Sequence, residues 1–291
     1  MSGWLPLTLL CAFALASSDA AAKAWLQGYR ARELVLVRFG LAGLLLAPLL
    51  ALWPPGAQPA PFWGWLALLT PLEIGAMLLY MRAIRDHPLA LTLPYLAFTP
   101  VLTILTGWLF LGETVTGKGV VGILLVAVGG WLLNADEAEG ADWRTWLRPF
   151  AAILHEPGAR LMLGAALIYS VTAALSKKAM GYTDPLAFGV LYFVVVGTGT
   201  VLLFGVREPA LWLRIWRRPG AVLAVAGLMA LMVVTHFLAL ARVEVAYMIA
   251  VKRSSLVFGV LYGALCFGER HLRGHLLAVA LMLAGVWAIL L

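Results

Sequence analysis

Apolar runs about as long as a bilayer is thick dominate this chain. Cut at charges, Pro and Gly, the 291 residues leave ten of them: Trp4–Trp25, Leu34–Trp53, Phe62–Met81, Leu89–Leu111, Gly119–Leu133, Leu161–Ala179, Pro185–Val206, Ala221–Ala241, Val245–Phe267 and Gly274–Leu290. A transmembrane helix needs about 20 mostly apolar residues, because a backbone in hydrocarbon must satisfy its own hydrogen bonds. The runs are too long for barrel strands and do not alternate. Composition agrees: 63% of residues are hydrophobic and 12% charged, against about 45–50% and about 25% in soluble domains. The expected fold is all-α integral membrane, with ten transmembrane helices.

The tenfold pattern divides into two. Residues 1–134 hold five runs, residues 135–159 form a polar linker, and residues 160–291 hold five more. A short interfacial helix is expected around Trp143–Leu154, where Trp143 and Trp146 suit the headgroup layer. Trp4, Trp25, Trp53, Trp63, Trp131 and Trp212, at segment ends, read as interfacial belts. Leu5–Ala16 followed by Ala20-Ala21-Ala22 imitates a signal peptide. However, Met1–Trp4 carries no Lys or Arg, which such a peptide needs, so the run reads as the first transmembrane helix.

The halves repeat each other. LGETVTGKGVVGILLVAVGGWLL, from Leu111, matches FGERHLRGHLLAVALMLAGVWAI, from Phe267. Gly112-Glu113 falls on Gly268-Glu269, Gly129 on Gly285, Trp131 on Trp287 and, upstream, Lys23 on Lys177. Five is odd, so two five-helix halves insert in opposite orientations. Inverted repeats of this kind recur in secondary transporters, with the substrate site where the repeats meet.

These ordered features, together with Arg38-Phe39 opening the second run, resemble the EamA family of the drug/metabolite transporter superfamily. The resemblance covers nearly the whole chain. It implies a ten-helix permease with a central cavity, moving small metabolites across the inner membrane, and leaves the substrate open.

Charge gives orientation. The net charge of +7 reflects loop arginines and lysines, and no motif for nucleic-acid binding occurs. Odd-numbered loops carry most of them, including Arg30, Arg32, Arg82, Arg144, Arg207, Arg217 and Arg218. Even-numbered loops carry only Lys118, Lys177, Lys178 and Arg242. The positive-inside rule puts the odd loops in the cytoplasm and both termini outside, against the usual orientation of the family resembled.

Few charges interrupt the runs themselves. Lys252 and Arg253 stand together about seven and eight residues into the ninth run. Each would cost about 2.5–3.5 kcal/mol at the bilayer centre if lipid-facing. They snorkel, pair with an acid, or face a watery cavity and attract an anionic group. Their partners by repeat are the apolar Leu96 and Ala97, so shared packing does not require them. In the fourth run Thr92, Tyr95, Thr99, Thr103 and Thr106 are spaced 3, 4, 4 and 3, which puts them on one stripe. Those hydroxyls bond their own helix or line a polar path, and Pro94 and Pro100 favour an interrupted cavity wall.

The expected substrate site is Lys252, Arg253, Tyr95, Thr99, Thr103 and Ser255, in a cavity bounded by the first, third, fourth, eighth and ninth helices. Glu73 and Asp19 are its charge partners or coupling groups, because a carboxylate at that depth needs a partner or a proton. His236 is a weaker relay candidate or a packing residue. Arg38, Lys23 and Lys177 read as helix-end anchors, with bordering the cavity mouth as the alternative for Lys23 and Lys177, Glu113 and Glu269 as carboxylates favouring helix N-termini, and Asp184 and His155 as loop residues.

This mixed polarity suits an amino acid, an organic anion or a zwitterion. The alternative is a flippase for a lipid-linked, phosphate-bearing intermediate. Enzyme chemistry is not expected, since DDxxD, HExxH and GxSxG are missing. Without a P-loop, ATP hydrolysis is not expected either. No cofactor or metal is implied, and Cys11 and Cys266 read as packing residues. The expected partners are a small-molecule substrate and the lipid bilayer. One chain supplies both halves of a pathway, so a monomer suffices and a dimer stays open.

Overall fold

The computed structural model describes residues 3–87, 92–135, 156–266 and 272–291. The ten principal helices among them are α1 (Trp4–Trp25), α2 (Ala31–Leu52), α3 (Ala60–Asp86), α4 (Leu93–Leu96 and Thr99–Leu111), α5 (Gly117–Ala135), α6 (Pro157–Met180), α7 (Pro185–Gly205), α8 (Pro219–Leu240), α9 (Val245–Lys252 and Ser255–Cys266) and α10 (Leu272–Leu290). Seven are long and apolar enough to cross a membrane: α1, α2, α3, α6, α7, α8 and α9. The described apolar stretches of α4, α5 and α10 are shorter. The interfacial helix expected around Trp143–Leu154, together with His155 and Glu269, lies outside the described residues.

Local chemistry sets the helix ends. Pro157, Pro185 and Pro219 start α6, α7 and α8 at the first helical position, where a missing N–H costs nothing. Asp184, expected as a plain loop residue, caps α7 by accepting from the N–H groups of Leu186 (2.8 Å) and Ala187 (3.2 Å). Gly112 ends α4 at φ +69°, a left-handed conformation that Gly adopts without a Cβ penalty.

Packing relates the halves. Exchanging the first five helices for the second five carries α1·α8 onto α6·α3 and α4·α6 onto α9·α1. The same exchange leaves α2·α7, α4·α9 and α5·α10 in place. Along α5 and α10 the register runs antiparallel. A Cβ on Gly122 would lie 2.7 Å from the Gly285 carbonyl oxygen, and one on Gly129 would lie 2.6 Å from that of Ala278. α1 and α8 are antiparallel too: Arg242 donates to the Gly3 carbonyl at one end, and Arg218 to the Trp25 carbonyl at the other. α2 and α7 cross at Gly43 and Gly197, where a Cβ would lie 2.6 Å from the Phe193 oxygen and 2.7 Å from the Phe39 oxygen respectively. Small residues let backbones meet where lipid supplies no hydrophobic drive between helices.

Large apolar side chains cover the outside, among them Leu105, Trp108, Leu265, Leu283 and Trp287. Two residues of the expected aromatic belts sit elsewhere. Trp4 and Trp131 are buried, Trp131 against Tyr95 and Phe98, while Trp25, Trp53 and Trp63 are exposed as expected.

Both repeats break one helix at the same place. α4 is interrupted at Ala97-Phe98 and α9 at Arg253-Ser254, which the repeat aligns with each other. In α4, Pro100 removes the N–H that would bond the Leu96 carbonyl, and the Thr99 hydroxyl donates to that carbonyl instead at 2.7 Å. α9 has no proline there, and the chain passes through two i→i−3 bonds, Arg253 to Ala250 and Ser254 to Val251.

Candidate functional site

The breaks border a cavity of about 640 Å³ between the halves. α1 contributes Asp19 and Lys23, α2 Arg38, α3 Glu73 and Tyr80, and α4 Thr99. α6 adds Tyr169 and Thr172, α7 Tyr192, α8 His236, and α9 Lys252, Arg253 and Ser255. The lining reaches Gln27, Gly28 and Tyr29, so the cavity extends to the end of the bundle where α1 turns into α2.

Arg253 is the distinctive group. It is 9% exposed, and its guanidinium has no hydrogen bond or ion pair with any described residue; its Nε is buried without an acceptor. A buried charge without a partner is costly. The break in α9 puts this guanidinium against the cavity. Beside it, Lys252 Nζ lies 3.2 Å from His236 Nδ1. The expected pairing of Glu73 with Arg253 does not form. Glu73 instead accepts from the Tyr192 hydroxyl at 3.3 Å, with Thr172 next to it.

Asp19 is paired elsewhere as well: Arg38 Nη2 donates to its Oδ1. This corrects the reading of Arg38 as a helix-end anchor. α2 begins at Ala31, so Arg38 lies two turns inside it, 3% exposed, within a π-helical stretch over Leu36–Leu41. Single π turns of this sort often mark functional positions.

The hydroxyl stripe divides. Thr99 borders the cavity while bonding the Leu96 carbonyl. Thr103 donates to the Pro100 carbonyl at 2.7 Å and Thr106 to the Ser170 carbonyl at 3.0 Å. Tyr95, 1% exposed, packs edge-on against Trp131 with ring centroids 5.6 Å apart. Neither Tyr95 nor Thr103 lines the cavity. Arg38, Tyr80, Tyr169 and Tyr192, which do line it, were not among the expected site residues. Their only sequence signal is a lone polar group inside an apolar run.

A polar knot holds the opposite end of the bundle. Glu113 pairs with Lys177 at 2.5 Å and accepts from the Val245 N–H at 2.8 Å, capping α9. Lys177 also donates to the Val243 carbonyl at 2.5 Å, and the Thr116 N–H donates to the Tyr247 hydroxyl at 3.0 Å. Neither Glu113 nor Lys177 is a simple helix-end charge; together they join the α4–α5 turn to α6 and α9.

The model of the EamA-like transporter family matches residues 2–135 and 156–291, one match on each half. The chain belongs to the EamA-like transporter family. One solved crystal structure shares the fold with a TM-score of 0.73, covering 97% of this chain and 96% of its own, at 19% identity. No curated protein matches. Membership makes this chain a membrane transporter.

Proposed function

We propose that this EamA-family protein is a secondary transporter that moves a small polar metabolite, an amino acid or an organic anion or zwitterion, by alternating access. Its ten helices would all span the inner membrane as two inverted five-helix repeats. Antiparallel α5 and α10, and the exchange symmetry of the helix contacts, support that arrangement. The single observation that carries the substrate reading is Arg253, a buried guanidinium at a cavity wall with no hydrogen-bond or ion-pair partner among the described residues. An anionic group supplies the acceptor it lacks, and Lys252 adds a second charge.

The cavity surface carries four cations, Lys23, Arg38, Lys252 and Arg253, against two carboxylates, Asp19 and Glu73. That balance favours anions and zwitterions over cations. Because Asp19 is engaged by Arg38, Glu73 is the better group for an amine or a driving proton. Thr99 and Ser255 border the same space and offer hydroxyls to the polar body of the substrate. Loop charge puts the α1–α2 turn in the cytoplasm and the termini outside, so the cavity would face inward.

Proteoliposome counterflow with matched anionic, zwitterionic and cationic metabolites tests this reading. Arg253→Glu should abolish exchange of the anions and zwitterions. Exchange at the wild-type rate would remove Arg253 from the site. A bound ligand with a lipid tail would favour the flippase alternative.

A further inference from the structure

We propose that the connector between α7 and α8 is a docking surface for anionic phospholipid headgroups. It runs from Arg207 to Arg218 and contains a short helix, Ala210–Ile215. Leu211 and Ile215 are 2% and 0% exposed and fix the helix's inner face to the bundle. The outer face is apolar: Leu213 is 81% exposed and Trp216 is 43% exposed. Exposed apolar side chains on a turn between two membrane-embedded helices belong at the headgroup boundary, where Trp is favoured.

The charges around them identify the lipid. Arg207, Arg217 and Arg218 are exposed, and none forms an ion pair among the described residues. The nearby acids are already used: Glu208 pairs with Arg32, and Glu33 with Arg214. Guanidiniums without counter-charge, next to side chains that enter the acyl boundary, match a lipid phosphate. Arg forks bind such phosphates in bidentate fashion.

Two hydrogen bonds tie the connector to the turn between α1 and α2. The Tyr29 hydroxyl donates to the Ile215 carbonyl at 3.1 Å, and Arg218 donates to the Trp25 carbonyl at 2.6 Å. These bonds set the connector beside the turn that forms the cavity mouth. The inference does not depend on which substrate the cavity takes.

The test uses the full chain in nanodiscs of phosphatidylcholine alone or of phosphatidylcholine with phosphatidylglycerol, with thermal midpoints and retained lipid as readouts. The wild type should melt several degrees higher, and keep phosphatidylglycerol, in the anionic discs. R207Q/R217Q, which spares the Arg218 bond, should lose most of that gain while matching wild type in phosphatidylcholine. L213S/W216S should lose it as well, and guards against a folding defect peculiar to the arginine variant. Equal midpoints in the two discs, a gain that survives in both variants, or the same gain from inorganic phosphate in phosphatidylcholine discs would overturn the proposal.

Discussion

Asp19→Leu should destabilise the protein more than Asp19→Leu together with Arg38→Met. In the wild type the Arg38 guanidinium is 3% exposed and donates to Asp19, whose side chain is 39% exposed toward the cavity. Removing the carboxylate leaves Arg38 buried with no counter-charge. Breaking a buried pair from one side costs about 3–5 kcal/mol. Cavity water around the open side of Asp19 puts the expected cost at the lower end, about 3 kcal/mol. Arg38→Met leaves a carboxylate that water can reach, and should cost about 1–2 kcal/mol, mainly for the lost bond. In the double variant neither charge remains, so the penalty for isolating Arg38 disappears. The coupling energy should fall within about 1–3 kcal/mol, as contacting residues in such cycles do. Unfolding of the purified protein by denaturant in detergent measures all four corners of the cycle. Strict additivity of the two single changes would refute the claim that this pair is coupled.

Other expectations follow from the packing and from the polar knot. Gly285→Val brings a Cβ to within 2.6 Å of the Gly122 carbonyl oxygen and should cost at least about 1–3 kcal/mol by forcing α5 and α10 apart. Gly227→Ala in α8, with nothing within 4 Å of its Cβ, should instead gain about 0.4–1 kcal/mol in the same assay. Glu113→Gln keeps an acceptor for the Val245 N–H and removes the charge facing Lys177. It should loosen that end of the bundle, so that a maleimide reacts faster with Val245→Cys, a position buried in the wild type, in a Cys266→Ser background. An unchanged labelling rate would show that the ion pair does not hold that end shut.

Much of the fold is legible in the sequence, because bilayer thickness fixes run length. α1 begins and ends where its apolar run does, at Trp4 and Trp25. The Gly112-Glu113 and Gly268-Glu269 match announces the repeat, whereas the pairing of α5 with α10 is seen only in the packing. The site is only half legible. Lys252 and Arg253 are visible because charges in an apolar run are costly, and both border the cavity. Arg38 is hidden because its apolar run starts at Leu34, whereas the helix α2 starts a turn earlier at Ala31 and carries the guanidinium inside. Periodicity places Thr99, Thr103 and Thr106 on one stripe but cannot tell whether a hydroxyl turns to its own backbone, as that of Thr103 does. The break in α4 is signalled by Pro100. The equivalent break in α9 has no proline, and the turn at Arg253-Ser254 shows only in the i→i−3 backbone bonds of the folded chain.

The measurement closest to the central claim compares ligand stabilisation of the wild type with that of Arg253→Gln. Purified proteins are melted in detergent against a panel of amino acids, organic anions and organic cations. At about 100 times its dissociation constant, a ligand of the folded state stabilises by about 2.7 kcal/mol. An anion or zwitterion should give that shift in the wild type and lose most of it in Arg253→Gln, which itself still folds. Stabilisation by cations alone, or an anion shift of equal size in both proteins, would contradict a cargo site built around Arg253.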